Sequence, residues 1–256
     1  MSIQSVSRAL SILKLFSAAK THLGITEIGK TLNLSNPTVH GLVRTMLIEG
    51  FLTQDTETKK YCLGIRNYEL GHYFLGSSQV YQVGAAATHR LAQTLGLNAR
   101  LAVRDGDSVV VILLVYSQPE RFQYFQLGPK VPNYCTSLGK AILAWLSPDE
   151  LADYLERTQL TPHTPGTITD HKRLMEDLEQ SRMRGYSTDR QELVPGLVCA
   201  AAPIFDQNGQ PIASLSISAD PNLLGRDNIS ELTDELIQTS NEISYSLGYH
   251  RNIIAM

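Results

Sequence analysis

Apolar residues recur along the first fifty positions at the three- and four-residue spacing of amphipathic helices. Val6, Ala9, Leu10, Leu13 and Phe16 mark a first helix over residues 5–18, broken by His22-Leu23-Gly24. A second helix, Glu27 to Leu32, turns Ile28 and Leu32 inward, with Thr26 as its cap and an acid in its first turn. Asn33-Leu34 makes a tight turn. Ser35 caps a third helix whose Pro37 falls in the first turn, where a missing N–H does no harm. There Val39, Leu42, Val43, Met46 and Leu47 form the buried stripe, and Gly50 ends the helix. Two short strands, 51–53 and 61–63, flank a polar tip at 55–60. Helix-turn-helix followed by a hairpin is a winged helix-turn-helix over residues 1–65.

The pattern then changes. Residues 66–95 read as helix, interrupted near Gly76-Ser77-Ser78 and Gly84: a linker helix over 66–76, within a linker of 66–78, then a helix over 79–95. Strand-like runs at 99–104 and 108–116 flank a turn at Asp105-Gly106, and 122–127 is a candidate third strand. A helix over 137–146 opens at Thr136 or Ser137, and Pro148-Asp149-Glu150 begins another. Residues 161–169 form a loop, Asp170 caps a helix to Arg184, and Gly185 stops it. A second hairpin, 197–205 and 210–218, turns at Asn208-Gly209, and a last helix covers 227–247. Hairpins alternating with helices imply an α+β domain over 79–256, an antiparallel sheet with helices against it.

Composition adds bounds. At 256 residues, 43% apolar and 18% charged, the chain is too apolar for disorder and large enough for one or two cored domains. Three cysteines without a CxxC pair argue against a disulfide framework or zinc ribbon and for a reducing cytosol; no metal and no cofactor are expected. No apolar run is long enough to span a bilayer and no signal sequence opens the chain, so membrane and secreted locations are not expected. The net charge of −3 is uneven. Through residue 75 there are eight basic against five acidic side chains, and beyond it fourteen against twenty. A basic front on an acidic body directs any polyanion to the front.

The third helix carries that chemistry. Its outward Asn36, Thr38, His40, Gly41, Arg44 and Thr45 offer small polar groups to base edges and a guanidinium to guanine or phosphate. Lys59 and Lys60 at the tip reach phosphates or a minor groove. With Thr26 and Ser35 these form the candidate contact set for double-stranded DNA. Taken alone, the same residues read as the solvated side of a helix; the wing and the local charge favour DNA.

The chain resembles bacterial transcriptional regulators of the isocitrate lyase regulator (IclR) family. The resemblance rests on Ser7-Arg8-Ala9-Leu10-Ser11-Ile12-Leu13, Leu34-Ser35-Asn36-Pro37-Thr38-Val39-His40, and Gly50-Phe51-Leu52 with Tyr61-Cys62-Leu63-Gly64 around the wing. Beyond these stand Ser137 through Ala144, Arg184-Gly185-Tyr186, Glu192 through Cys199, Ala202 through Asp206 and Leu215 through Ser218. It implies a winged helix-turn-helix on a GAF-like effector domain, a homodimer or dimer of dimers, operator DNA as partner and a small organic-acid effector. One departure is Gly41, where relatives often carry arginine after the histidine.

The resemblance also implies effector contacts at Ser137, Leu138, Asp189, Cys199, Ser216 and Ser218, less securely at Gln123 and Val131. Ser137 and Leu138 at a helix start offer N–H groups to a carboxylate. Ser216 and Ser218 share one face of a strand. Asp189 would repel a carboxylate and suits a ligand hydroxyl, an amine or a bridging water. Tyr116, Phe122, Tyr124, Phe125 and Tyr134 would wall an aromatic acid or simply fill a core. On residue type alone, Cys199 is a small buried hydrophobe, the two serines are solvated strand residues, and Asp189 with Glu192 is loop surface. The competing class is a serine hydrolase using Ser137 with Lys140 as base, from Ser137-Leu138-Gly139-Lys140. No Ser-Asp-Asn, Lys-Thr-Gly, Gly-x-Ser-x-Gly or His-Glu-x-x-His completes such a site, and Lys140 is expected to face solvent or pair with an acid. A non-enzymatic regulator is the expectation.

Overall fold

The computed structural model describes residues 2–117, 130–219, 221 and 229–250. The chain divides into two compact units that part between Ser77 and Ser78.

The first unit runs α1 (Gln4–Leu13), α2 (Ile25–Leu32), α3 (Asn36–Ile48), β1 (Leu52–Gln54), β2 (Tyr61–Leu63) and α4 (Ile65–Ser77). Ile12, Ile28, Val39 and Val43 are its fully buried centre, one or two from each of the first three helices. The first helix is shorter than its apolar spacing predicts. After Leu13, the amides of Leu15 and Phe16 bond back three residues and Ser17 pairs with Lys20, so the chain tightens into turns while Phe16 still reaches the core. Thr26 does not cap α2. The Ile28 amide already bonds the Gly24 carbonyl, making Gly24 the cap and placing Thr26 on the exposed first turn. Ser35 does cap α3, accepting from the Thr38 amide, with Pro37 in the first turn. Tyr61 and Leu23 exchange two backbone bonds of 2.9 Å, which fastens the β1–β2 hairpin to the start of α2.

The second unit contains α5 (Gln79–Leu95), β3 (Asn98–Asp105), β4 (Ser108–Val115), β5 (Lys130–Pro132), α6 (Ser137–Leu143), α7 (Pro148–Arg157) and α8 (His171–Arg184). It continues with β6 (Ser187–Arg190), β7 (Val198–Phe205), β8 (Pro211–Ala219) and α9 (Ile229–Ser246). Among the described residues, six strands form one antiparallel sheet in the order β5-β4-β3-β8-β7-β6. Alternation sorts side chains by face. Ala99 and Leu101, Ala200 and Ala202, Leu215 and Ile217 pack under α5 and α9. Ala102 and Ala201 face the other way, into a core shared with α6, α7 and α8.

Several boundaries differ from expectation. Helix α5 runs unbroken through Gly84, because the missing side chain serves contact: a Cβ there would lie 2.7 Å from Leu101. The β3–β4 turn is Gly106-Asp107, since Asp105 still pairs with Ser108. Helix α6 ends at Leu143, after which Trp145 and Leu146 bond back three residues rather than four. Strands β5 and β6, three and four residues long, were too short to register as runs. The candidate strand 122–127, with Gln123, Phe122, Tyr124 and Phe125, lies outside the described residues.

Candidate functional site

Two separate places carry chemistry. In the first unit, Asn36, His40 and Arg44 stand at four-residue intervals along α3, all exposed, with Gly41 and Thr45 beside them. Some hydroxyls are already engaged locally: Ser35 Oγ meets Thr38 Oγ1 at 2.8 Å, and Thr45 Oγ1 donates to the Gly41 carbonyl at 3.2 Å. Lys59 and Lys60 are exposed at the hairpin tip. Asp55 builds that tip, its Oδ1 accepting from the Glu57 and Thr58 amides and the Thr58 hydroxyl. Those bonds hold the Asp55 carboxyl below its usual range. A helix face with polar side chains and one guanidinium is thus followed by a hairpin that carries two exposed ammonium groups.

In the second unit, the α6 face of the sheet is polar where a core is normally apolar. Arg100, Asp189, Cys199, Ser216 and Ser218 are all buried there, as are Ser137, Leu138 and Val131. Register explains the gathering. Asp189 lies opposite Cys199, Cys199 opposite Ser218, and Arg100 opposite Ser216. Directly opposed residues in antiparallel strands share a face. Arg100 Nη1 donates to Ser218 Oγ at 2.6 Å, joining β3 to β8. Ser187 Oγ of β6 lies 2.6 Å from the Ser137 carbonyl and 3.2 Å from that of Ala201, joining β6 and β7 to the first residue of α6.

Electrostatics follow from burial. Desolvation pushes the Cys199 and Cys135 thiols up to about 12, so both stay neutral. It raises Asp189 to about 7, although the Glu192 amide donates to its Oδ1 at 2.7 Å and Lys140 and Arg100 oppose the rise. Behind the site, Lys140 Nζ lies 2.6 Å from Glu192 Oε1 and 2.9 Å from Asp177 Oδ2. Burial alone would lower the Lys140 ammonium, but the two carboxylates outweigh it and hold the group above its ordinary value. Ser216 Oγ is buried without a partner among the described protein atoms. A buried hydroxyl in that state favours a ligand that bonds it.

The surface readings of this region are therefore corrected. Asp189, Glu192, Ser216 and Ser218 are each less than 5% exposed. Of the two environments expected for Lys140, it takes the acid partner and not solvent. A positively charged Lys140 clamped by two carboxylates cannot serve Ser137 as a base. Helix α6 has only seven residues, so the positive charge at the site comes chiefly from the Arg100 guanidinium. Sequence reasoning passed over Arg100. Its signal was a charge standing between Ala99 and Leu101, at the same alternation parity as Ala102. Gln123, with Phe122, Tyr124 and Phe125, lies outside the described residues.

Comparison with known proteins bears on both places. The IclR helix-turn-helix domain matches residues 5–56, and the bacterial transcriptional regulator IclR C-terminal domain matches residues 72–245. The chain is 34% identical over 247 residues to the HTH-type transcriptional regulator XynR of Escherichia coli K12, covering 96% of this chain and 98% of that one. It is 30% identical over 248 residues to the transcriptional repressor IclR of the same organism, covering 96% and 90%. Among solved structures, an IclR homologue from Microbacterium hydrocarbonoxydans complexed with 4-hydroxybenzoate superposes with a TM-score of 0.80, at 24% identity over 95% of this chain and 98% of that one. These relatives are regulators of transcription, which sets the hydrolase reading aside.

Proposed function

The chain belongs to the IclR family of ligand-responsive, DNA-binding transcriptional regulators, and we propose that it is a cytoplasmic repressor released from, or tightened on, its operator by a small carboxylic acid. The operator contacts are assigned to Ser35, Asn36, Thr38, His40, Arg44 and Thr45 of α3, to Thr26, and to Lys59 and Lys60 of the wing. The effector contacts are assigned to Ser137, Leu138, Asp189, Cys199, Ser216 and Ser218, with Val131 and Gln123 as the less secure members of the set. The observation that carries the reading is the polar cluster buried on the α6 face, whose Ser216 hydroxyl has no partner among the described protein atoms. A relative in complex with 4-hydroxybenzoate supports a carboxylate as the chemical class.

Domain limits of 1–65, 66–78 and 79–256 fit this division of labour, with α4 as the coupling element. A homodimer, alone or doubled, is part of the proposal. Ile3, Val6 and Leu10 of the first helical segment and Tyr68, Tyr73 and Phe74 of α4 are more than half exposed. Apolar faces of that extent call for a partner, and a second copy would supply the second α3 needed to read two half-sites. An effector that prefers one arrangement of the two wings changes operator affinity by its differential affinity, typically ~1–3 kcal/mol. The test is retardation of DNA from the flanking intergenic region, with and without a panel of carboxylic acids. Retardation reversed or enhanced by an acid in wild type, and unresponsive in Ser216→Ala, supports the reading; indifference to every acid counts against it.

A further inference from the structure

The connection between β6 and β7 turns inward at a strained residue. Gln191 is exposed and left-handed, with φ of 63°, a conformation disfavoured for any residue that carries a Cβ. That turn takes the chain from the exposed Arg190 and Gln191 to the buried Glu192. The Glu192 carboxylate meets Lys140 of α6, and its amide donates to Asp189 Oδ1. Strain of this kind persists only where neighbours hold it. Within the connection, the Gln191 amide donates to the Leu197 carbonyl, and its Oε1 accepts from the Gly196 amide. The rest of the hold comes from the loop between α7 and α8. Thr164 Oγ1 donates to the Gln191 carbonyl at 2.6 Å, with the Glu192 carbonyl 3.1 Å away. Thr167 Oγ1 donates to the Glu192 carbonyl at 2.6 Å.

The loop is shaped to deliver those two protons. Thr167 Oγ1 accepts from the amides of His163 and Thr164, and Thr164 Oγ1 accepts from that of Gly166. Each hydroxyl thus accepts within its own loop and sends its proton across. Gly166 allows the close approach, since a Cβ there would lie 3.2 Å from the Arg190 carbonyl and 3.3 Å from that of Gln191. The start of the loop is fastened as well: Tyr134, ahead of α6, donates its hydroxyl to the Thr161 carbonyl at 2.7 Å. Resting on the effector reading above, we propose that residues 161–167 form a clasp that sets the effector response. Thr164 and Thr167 are positioning residues. They hold the Gln191 turn closed, the turn holds Glu192 inward, and Glu192 holds the Asp189 carboxyl and the Lys140 ammonium. Opening the clasp frees the Glu192 amide from Asp189 and weakens effector binding, while α3 keeps its operator surface.

The test is Thr164→Val with Thr167→Val in the full-length protein, a pair that keeps side-chain shape and removes both donated protons. Two quantities are read: retardation of the flanking intergenic DNA as 4-hydroxybenzoate, benzoate, lactate or acetate is titrated in, and amide hydrogen exchange over residues 186–197. The double variant should need at least about tenfold more of whichever acid acts on wild type, and its connection should exchange about tenfold faster. Without acid it should bind the DNA as wild type does. Thr164→Ser with Thr167→Ser restores both donors and should return both quantities to wild type. Should the valine pair fail to fold, Thr167→Val alone should shift both in the same direction. An unchanged acid requirement overturns the clasp even where the thermal midpoint falls, because a purely structural bond lowers the midpoint alone. Indifference of wild type to all four acids overturns the effector reading, and this inference with it.

Discussion

Lys140 and Glu192 form an ion pair of 2.6 Å with side chains only 1% and 5% exposed, tying α6 to the connection between β6 and β7. The Glu192 amide also donates to Asp189 Oδ1 at 2.7 Å, so the residue that pairs with Lys140 positions the Asp189 carboxyl as well. Removing one member leaves the other charge buried and uncompensated. Lys140→Met is expected to lower stability by ~3–5 kcal/mol, with Glu192→Gln added to it recovering part of the loss. Urea unfolding of the single and double variants measures both.

Stability should depend on pH through Asp189. Its carboxyl titrates near 7 in the folded chain, against about 4 when unfolded. The folded state therefore holds a proton that the unfolded chain releases. The resulting contribution is complete below about pH 4 and is lost as pH rises through about 7. The wild-type urea midpoint should fall between about pH 5 and pH 8, while Asp189→Asn flattens that part of the profile.

Two glycines predict opposite outcomes. At Gly139 an added Cβ would come within 2.1 Å of the Asn133 backbone, so Gly139→Ala should displace α6 and cost well over 2 kcal/mol, or prevent folding. At Gly41 nothing lies within 4 Å. Gly41→Ala should stabilise the first unit by about 1 kcal/mol, through helix propensity alone. Thermal unfolding distinguishes the two cases. Gly41→Arg, which adds a cation to the exposed face of α3, should strengthen binding to any duplex and steepen its salt dependence.

Two helices were legible because each carried its own punctuation: Ser35 and Pro37 at the start of α3 in the first unit, Asp170 and Gly185 around α8 in the second. The α+β architecture was legible from two hairpins. What escaped had a physical reason in each case. Thr26 is a good cap by type, but the backbone began α2 earlier, at Gly24. Strands β5 and β6 take their order from their neighbours and not from any run of their own. Ser216 and Ser218 look solvated in isolation, and only the sheet register reveals that they lie buried beside Arg100. The ion pair between Lys140 and Glu192 spans 52 positions, a distance over which no local pattern speaks.

The phosphate contacts assigned to the wing should appear in salt dependence. Lys59→Ala with Lys60→Ala is expected to reduce the slope of log affinity against log salt by about two, while leaving the preference among sequences nearly unchanged. Fluorescence anisotropy at several salt concentrations reads that slope.

The central claim is that the exposed face of α3 reads operator DNA. Its most direct measurement is anisotropy of a labelled duplex from the flanking intergenic region, titrated with wild type and with Arg44→Ala beside a shuffled duplex of equal length. The account predicts tighter wild-type binding to the intergenic duplex, weakening linearly in log salt, and a loss of about 1–3 kcal/mol in Arg44→Ala. Equal binding to both duplexes, with Arg44→Ala indistinguishable from wild type, would contradict it.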